Sequence, residues 1–464
     1  MKRKLLLLCI VLLHVGYVPP AYCYNYTSVS DSATGGSRHY FAPLVEIAAI
    51  NSSVWAFDRY VLKQDYANIS AQSIRNNLQR GFMWDNDKLS TNMFFHPYNG
   101  GLFYSAARSA NLGYGTSVLY TLCGSLMWEI VLENEPPSIN DLMATTIGGA
   151  AMGEVMMRLS DWLITNRHQS TVANISAFLL SPTSWVNRHL YPKQIITPPL
   201  SINIKANNTT AFTPAGNQYL FSLSADARYG NFFVTANTKP FDAFQSTLTV
   251  ALYSKPIIKE FLTVGSLYSK EVNEYEHGNM VLGVYQHFDY FDSRAIGDEV
   301  PYMLAAPTAA SVGICMSRET ENITTTASIY MKAIALGAVQ SDHYNNIDRS
   351  YNMGQGVGSQ IILSANYRNK ATADIALYQY VMYTFHGFDG EEQDMRLHNL
   401  YLDAPGNIST ANMLIIKAEV KYFLSKNIFL SANANYFFRH TQYKYFPIIT
   451  KNIFEVSLGI GAAF

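Results

Sequence analysis

The chain is short of charge. Of its 464 residues only 14% are Asp, Glu, Lys or Arg, and the 33 basic residues nearly cancel the 34 acidic ones, for a formal net charge of -1. Soluble proteins carry roughly 25% charge. A disordered chain needs high charge and few aromatics, and a nucleic-acid binder needs a basic excess to neutralise phosphates, so both classes are excluded. Four cysteines rule out a disulfide scaffold. There is no G-x-S-x-G, H-E-x-x-H or C-x-x-C, so the familiar hydrolase, zincin and redox signatures are absent. Beyond the first segment there is no long uncharged apolar run. The most apolar stretch, 116–133, is interrupted by Glu129 and Glu133, which makes it short and acidic for a simple membrane span. What remains is 48% hydrophobic residues, with 32 Tyr and 25 Phe. That mixture suits an aromatic-girdled β protein or another kind of membrane protein.

Met1-Lys2-Arg3-Lys4 followed by the apolar run 5–18 and by Ala21 and Cys23 reads as a secretory signal peptide over 1–23. The bulky Tyr22 before Cys23 argues against lipid attachment. A polar segment follows to about residue 40.

The C-terminal half has period two. Phe454, Val456, Leu458, Ile460, Ala462 and Phe464 share one face, and Glu455, Ser457, Gly459 and Gly461 the other, the signature of a strand between two environments. Leu414, Ile416, Ala418, Val420 and Tyr422 likewise oppose Lys417, Glu419 and Lys421, and Tyr219, Phe221, Leu223 and Ala225 oppose Ser222, Ser224, Asp226 and Arg228. Twelve such segments are predicted, near 217–228, 230–237, 241–253, 258–271, 279–292, 302–317, 322–338, 355–368, 371–387, 410–424, 427–442 and 450–464. Many reach the roughly 9–11 residues a tilted strand needs to cross a bilayer. Short connections at 425–426, 369–370 and 318–321 alternate with longer ones at 443–449, 388–409, 339–354 and 293–301, the parity of a transmembrane barrel, kept through the last eight strands and blurred earlier. The expected fold is α+β: a helical domain over 24–198, on the periplasmic side or seated in the lumen, then an antiparallel outer-membrane β-barrel of about 12 strands over 199–464, entered after Pro198-Pro199. Asp226, Arg228, Lys417, Glu419, Lys421 and Arg439 are expected to line the interior.

The N-terminal half switches to helical periodicity from Phe41 to Asp161. Helices are predicted at 70–80, 101–110 and 116–133. The last of these carries a polar seam at Ser117, Thr121, Ser125, Glu129 and Glu133, one residue in four. After Pro136-Pro137, Ser138 opens another helix with Asp141 three residues on, a box-like start. Asp141, Thr145, Gly149 and Gly153 then recur at four, a small-residue seam that lets another helix approach.

At this point an ordered set of motifs resembles a known family. Trp84-Asp85-Asn86-Asp87, Asn92 with His96-Pro97-Tyr98-Asn99-Gly100, Tyr104 with Ala107-Arg108, Gly124-Ser125-Leu126-Met127-Trp128-Glu129, Pro137-Ser138-Ile139-Asn140-Asp141 and Gly148-Gly149-Ala150-Ala151-Met152-Gly153-Glu154 look like the bacterial envelope family catalogued as domain of unknown function 3943. The resemblance is dense over about 84–161 and looser to about 188. It implies a secreted, barrel-bearing envelope protein of a diderm bacterium and supplies no catalytic residues.

His96, Arg108, Glu129, Glu133 and Asp141 are the candidate site. His96 has the chemistry of a general base oriented by Glu129 or Asp141, and Arg108 is the natural partner of the glutamates. The bland alternative is a buried structural network. His287 and Asp289 share a strand face and suggest a hydrogen-bonded pair in the lumen. No cofactor or metal is expected. The expected partners are outer-membrane lipid and the barrel-assembly machinery, the latter through Phe464. Three function classes stand: a barrel acting in transport, assembly or envelope structure; a membrane-embedded enzyme acting on lipid or lipopolysaccharide; and a surface binding or adhesion protein using loops 339–354 and 388–409.

Overall fold

The structure is a computed structural model. It describes residues 37–464 apart from 86, 168–169, 192–199, 215, 234–238, 253–256, 276, 294–301, 344–350 and 385–405. The expected signal peptide, the Pro198-Pro199 boundary, the middle of loop 339–354 and most of loop 388–409 lie outside the described residues.

Twelve antiparallel strands close into a barrel: β1 (Leu200–Thr213), β2 (Gly216–Tyr229), β3 (Phe244–Leu252), β4 (Ile258–Tyr275), β5 (Gly278–Asp292), β6 (Met303–Glu319), β7 (Ile323–Gln340), β8 (Tyr351–Tyr367), β9 (Ala371–Thr384), β10 (Ser409–Phe423), β11 (Ile428–Tyr443) and β12 (Ile449–Ala463). Each strand pairs with its neighbour in sequence. β1 and β12 close the ring in the register Asn203↔Ala463 to Phe212↔Phe454, extended by Phe464 and Ile202, whose backbone groups exchange hydrogen bonds of 2.8 and 3.0 Å. The short turns after β4, β6, β8 and β10 share one rim with both ends of the barrel and with the longer β2–β3 connection, and the connections after β5, β7, β9 and β11 share the other with the tight β1–β2 turn. These are called the short-turn rim and the loop rim below.

The count of twelve matches the expectation, with one exchange. The segment predicted at 230–237 is no strand over its described residues; Phe232 and Phe233 instead pack against lumen residues Val264, Tyr285, Cys315 and Tyr330. The strand missed is β1. Its lumen face is Asn203, Lys205, Asn207 and Thr209, and Asn208-Thr209-Thr210 reads as a turn. Only a partner strand on each side makes that polar sequence a strand.

Facing follows the alternation. Cross-lumen ion pairs between strands that are not neighbours identify the interior: Lys205 Nζ to Glu419 Oε1 at 2.6 Å, Lys259 Nζ to Glu455 Oε2 at 2.7 Å, and Lys417 to Glu260. Arg439 is fully buried and pairs with Asp342. On the opposite face Phe454, Val456, Leu458 and Ile460 are exposed. The lumen is filled toward the loop rim. Phe291, Leu304, Ile334, Tyr378, Tyr380, Met413, Ile415, Phe437 and Ile453 form one apolar cluster there, so about twelve strands enclose side chains rather than a channel.

Among the described residues four long helices precede the barrel. α1 is Phe41–Phe57 continued by a π-helical segment, Asp58–Leu62. α2 is the short Ala71–Arg80. α3 is a π segment, Thr91–Phe95, running into His96–Ser109. α4 is Tyr114–Met127 ending in the π segment Trp128–Leu132. α5 is Ile139–Met143, a π segment Ala144–Gly148, then Gly149–Arg167. Two shorter helices, α6 (Thr171–Leu180) and α7 (Pro182–Leu190), lead to β1. Ser70 and Ser73 cap α2 reciprocally. α3 and α5 cross at glycines, because a Cβ at Gly100 would lie 1.9 Å from the Thr145 carbonyl oxygen. The small-residue seam read from the sequence is this crossing.

The bundle docks on the outside of the barrel, not in its lumen. Asp226, Glu260 and Asp289 face inward through cross-strand partners. Their alternates Tyr229, Phe261, Phe288 and Tyr290 therefore face outward, and it is these that pack with Met93, Phe94, Ala151, Val155 and Trp162 of the bundle. Phe94 meets Phe261, Phe288 and Tyr290 at centroid distances of 6.5, 6.1 and 4.5 Å. The contact runs from rim to rim. Near the short-turn rim Arg158 donates to the Pro240 carbonyl at 2.8 Å; at the loop rim Asn92 donates to Tyr351 at 2.9 Å. The expectation of a lumen seat fails because the lumen is already filled by the barrel's own side chains.

Candidate functional site

A polar centre lies in the loop-rim half of the bundle, and local rules place each part. Ser138 caps α5 by accepting from the Asp141 amide at 3.2 Å. In a capping box the third residue reaches back to the cap amide; here Glu129 of α4 does so, its Oε2 accepting from the Ser138 N–H at 2.7 Å. Asp141 is thereby free to turn inward, where its Oδ2 lies 3.3 Å from His96 Nε2, a contact without hydrogen-bond geometry. The strap 81–88 is tied to α5 by two backbone bonds, Met83 N to Pro137 O and Ile139 N to Met83 O, both 2.8 Å. It delivers Asp85. The Asn140 amide bridges the carboxyls, donating to Asp85 at 2.7 Å and to Asp141 at 3.0 Å, while its oxygen accepts from the Asp85 N–H at 3.0 Å.

Asp85 lies beside Asp141, and Glu129 beside Glu133. Like charges so close disfavour ionisation of both members of each pair. Trp128 donates to Glu133 at 3.1 Å. From the barrel, the Tyr351 hydroxyl donates to the Asp87 carbonyl at 2.6 Å and accepts from Asn92.

The four π segments gather at this level: at the loop-rim end of α1, α3 and α4, and one turn into α5. A π turn displaces a side chain from helical register and frees backbone groups, and such turns recur at functional sites. Asn77 of α2 meets the freed groups, donating to the Glu129 and Glu133 carbonyls at 3.2 and 2.9 Å.

His96, Glu129, Glu133 and Asp141 thus share one centre. Arg108 does not. It lies a helix length away, where Glu154 accepts from Tyr104 at 2.8 Å, Arg108 Nε at 2.8 Å and Arg158 Nε at 2.9 Å. Charge balance alone had paired Arg108 with the α4 glutamates; the chain supplies Glu154 as a fully buried partner instead. Asn140 was passed over in the sequence, although its place beside Asp141 in a cap was a signal. Tyr351, 259 residues from Asn92, carried none. In the lumen, His287 bonds Ser311 at 2.7 Å and Asp289 pairs with Lys332 at 2.6 Å, so the two do not pair with each other. Chemically the centre gathers four carboxyls, an imidazole and a bridging amide, groups able to hydrogen-bond a polar ligand. Among the described residues no three His, Cys, Asp or Glu side chains are grouped to hold a metal ion.

Residues 81–183 match the model of the family Domain of unknown function (DUF3943). The DUF3943 segment takes in the strap, α3, α4 and α5, and so the whole polar centre. No curated protein matches the chain. Solved structures aligned with it include the NanC porin (8% identity, 55% of this chain and 98% of the other, TM-score 0.30), the KdgM porin (8%, 56% and 99%, TM-score 0.23) and OmpT of Vibrio cholerae (8%, 59% and 100%, TM-score 0.25). At these scores the alignments carry no argument about what this chain does.

Proposed function

We propose that the chain is an outer-membrane protein whose working part is the DUF3943 bundle, held inside the bilayer beside the barrel. One observation carries the reading: the bundle covers the barrel's outward, lipid-type wall from rim to rim while itself presenting apolar side chains outward. Phe41, Leu44, Val45, Phe57, Tyr60 and Leu119 are exposed, and from Leu89 to Asp161 every charged side chain but Glu135 is buried or partly buried. α4 has 19 residues. At ~1.5 Å per residue it rises about 28 Å, close to a hydrocarbon core of roughly 30 Å. Both ends of the barrel share the short-turn rim, which faces the periplasm in this reading.

Lipid, rather than a solute crossing the lumen, is then what reaches the polar centre. The apolar cluster across the lumen disfavours transport through it. The resulting activity is an envelope function exercised within the membrane, on a lipid-borne or amphiphilic partner.

Cys123, exposed on α4, provides the test. In whole cells and isolated outer membranes a charged maleimide is expected to spare Cys123 yet label a cysteine placed at Asp65, beyond the end of α1; in denaturant both react. Labelling of Cys123 in intact membranes at the rate of the Asp65 site overturns the proposal. For the centre itself, His96→Ala is expected to leave the barrel heat-modifiable while reproducing the deletion phenotype.

A further inference from the structure

On the outside of the barrel, clear of the bundle's contacts, the wall carries a trough of ≈ 420 Å³ across the short-turn ends of β6–β9. The strand register builds it. Arg318, Thr325, Ala365 and Ala373 stand opposite one another in turn from β6 to β9. The neighbouring row, one step farther from the rim, is Met316, Ala327, Leu363 and Ile375. Opposed residues of a ladder share a face. Both rows face outward, because the alternates Cys315 and Asp374 face the lumen. Thr325, Ala365 and Ala373 are small and form the floor. Leu363 and Ile375 stand up on one side, and the opposed pair Ile323 and Tyr367 on the rim side; all four are exposed. With strands ~4.8 Å apart, the floor runs about 14 Å.

The trough has a polar end and an apolar end. Val420 of β10, exposed and opposite Ala373, continues the row beyond β9. The row leaves the rim as it goes: Arg318 is one residue from the end of β6, Ala365 two from the end of β8 and Val420 three from the end of β10. Exposed Tyr367 and Tyr422 lie at the same strand ends, and such aromatic girdles mark the membrane interface. The row therefore starts at headgroup level and descends into hydrocarbon. Arg318 is exposed, and the residue opposite it on β5 is Gly278, which leaves its flank open. Glu319 and Glu321 are close in sequence and exposed, yet among the described residues no carboxylate pairs with Arg318. An unpaired cation at the mouth of an apolar trough complements a ligand with an anionic head and an apolar tail.

We propose that this trough seats one acidic phospholipid of the periplasmic leaflet, its anionic headgroup on Arg318 and an acyl chain along Thr325, Ala365 and Ala373. The site rests on the barrel spanning the membrane with its short-turn rim toward the periplasm, and not on where the bundle sits.

Native mass spectrometry of the full-length chain in detergent, offered phosphatidylglycerol and phosphatidylcholine in equal amounts, tests this. One phosphatidylglycerol per chain is expected to be retained, at least tenfold over phosphatidylcholine. Arg318→Gln is expected to abolish that preference. Ala365→Phe, which fills the floor, is expected to cut phosphatidylglycerol retention tenfold or more, and Ala373→Leu fills the same floor should Ala365→Phe fail to fold. Heat-modifiable gel mobility shows that each variant keeps its barrel. Arg368→Gln serves as the control: its guanidinium already donates to Asn322 at 2.6 Å and lies over the Tyr367 ring, so retention is expected to persist. Equal retention of the two lipids, an unchanged preference in Arg318→Gln, an equal loss in Arg368→Gln or unchanged retention in the floor-filling variants overturns the proposal; unselective lipid around the barrel gives the first of these.

Discussion

The barrel and the bundle solve one problem with two periods. Both turn charge inward and apolar surface outward. In the barrel the period is two: along β12, Glu455 is fully buried in the lumen and its neighbours Phe454 and Val456 are exposed. In the bundle the period is about four: along α4, Ser117, Thr121, Ser125 and Glu129 are buried while Leu119 is 61% exposed. The barrel neutralises its interior chiefly with lysine–carboxylate pairs across the lumen; the bundle uses an arginine centre at Glu154, a further Arg188–Asp161 pair and a centre of clustered carboxyls. The difference teaches that the arginine centre is structural in kind. All of its partners are satisfied, and it sits away from the π segments. The carboxyl centre carries the irregular backbone.

The comparison can be broken hardest at Glu154. Replacing it with Ala leaves Arg108 and Arg158 without their shared counter-charge, and an orphaned buried charge costs roughly 3–5 kcal/mol. The bundle is expected to become protease-sensitive, while the barrel, which touches this centre only through Arg158 at Pro240 and Asp242, keeps its gel shift on heating. Next comes the lipid wall. Leu458→Arg is expected to cost roughly 2–4 kcal/mol and to lower outer-membrane levels, with Ser457→Arg, which faces the lumen, milder; equal loss at both sites contradicts the facing of β12. Gly100→Ala tests the helix crossing. Overpacking costs roughly 1–3 kcal/mol, and the loss should appear in bundle protection alone. The smallest effect is expected at Glu129→Gln, which keeps an oxygen for the Ser138 amide: under ~1 kcal/mol, the net worth of an ordinary hydrogen bond, measured by denaturant unfolding. Because Arg108 is not the partner of Glu129, adding Arg108→Met to that variant is expected to worsen it.

How much of this was legible in the sequence depends on range. Strand facing was, since alternation is local: the lumen and lipid faces of β2, β10, β11 and β12 follow directly from their spelling. The helix starts at Ser70 and Ser138 were legible for the same reason. β1 was not, because Asn207-Asn208-Thr209-Thr210 becomes a strand only between β2 and β12. The bundle's seat on the barrel's outer wall was hidden by Glu129 and Glu133, which made α4 look too acidic for an apolar surface. Nothing in a linear string shows that both turn inward. At the candidate site the residues His96, Glu129, Glu133 and Asp141 were readable from cap and seam patterns. Asn140 as their bridge, and Tyr351 as a contribution from the barrel, depend on tertiary contact.

The seam between β1 and β12 has a consequence in time. The ring closes only when the last strand, ending in Phe464, meets the first, so the wall that receives the bundle is completed after the bundle's own residues have been made. Asn92 waits for a tyrosine 259 positions later. Contacts of such separation form late and slowly. Until then the barrel-facing side chains Phe94, Val155 and Trp162 have no wall to pack against, the condition in which a nascent segment aggregates. A chain truncated before β12 is expected to hold its bundle undocked, read as protease sensitivity of the N-terminal segment in the truncated chain.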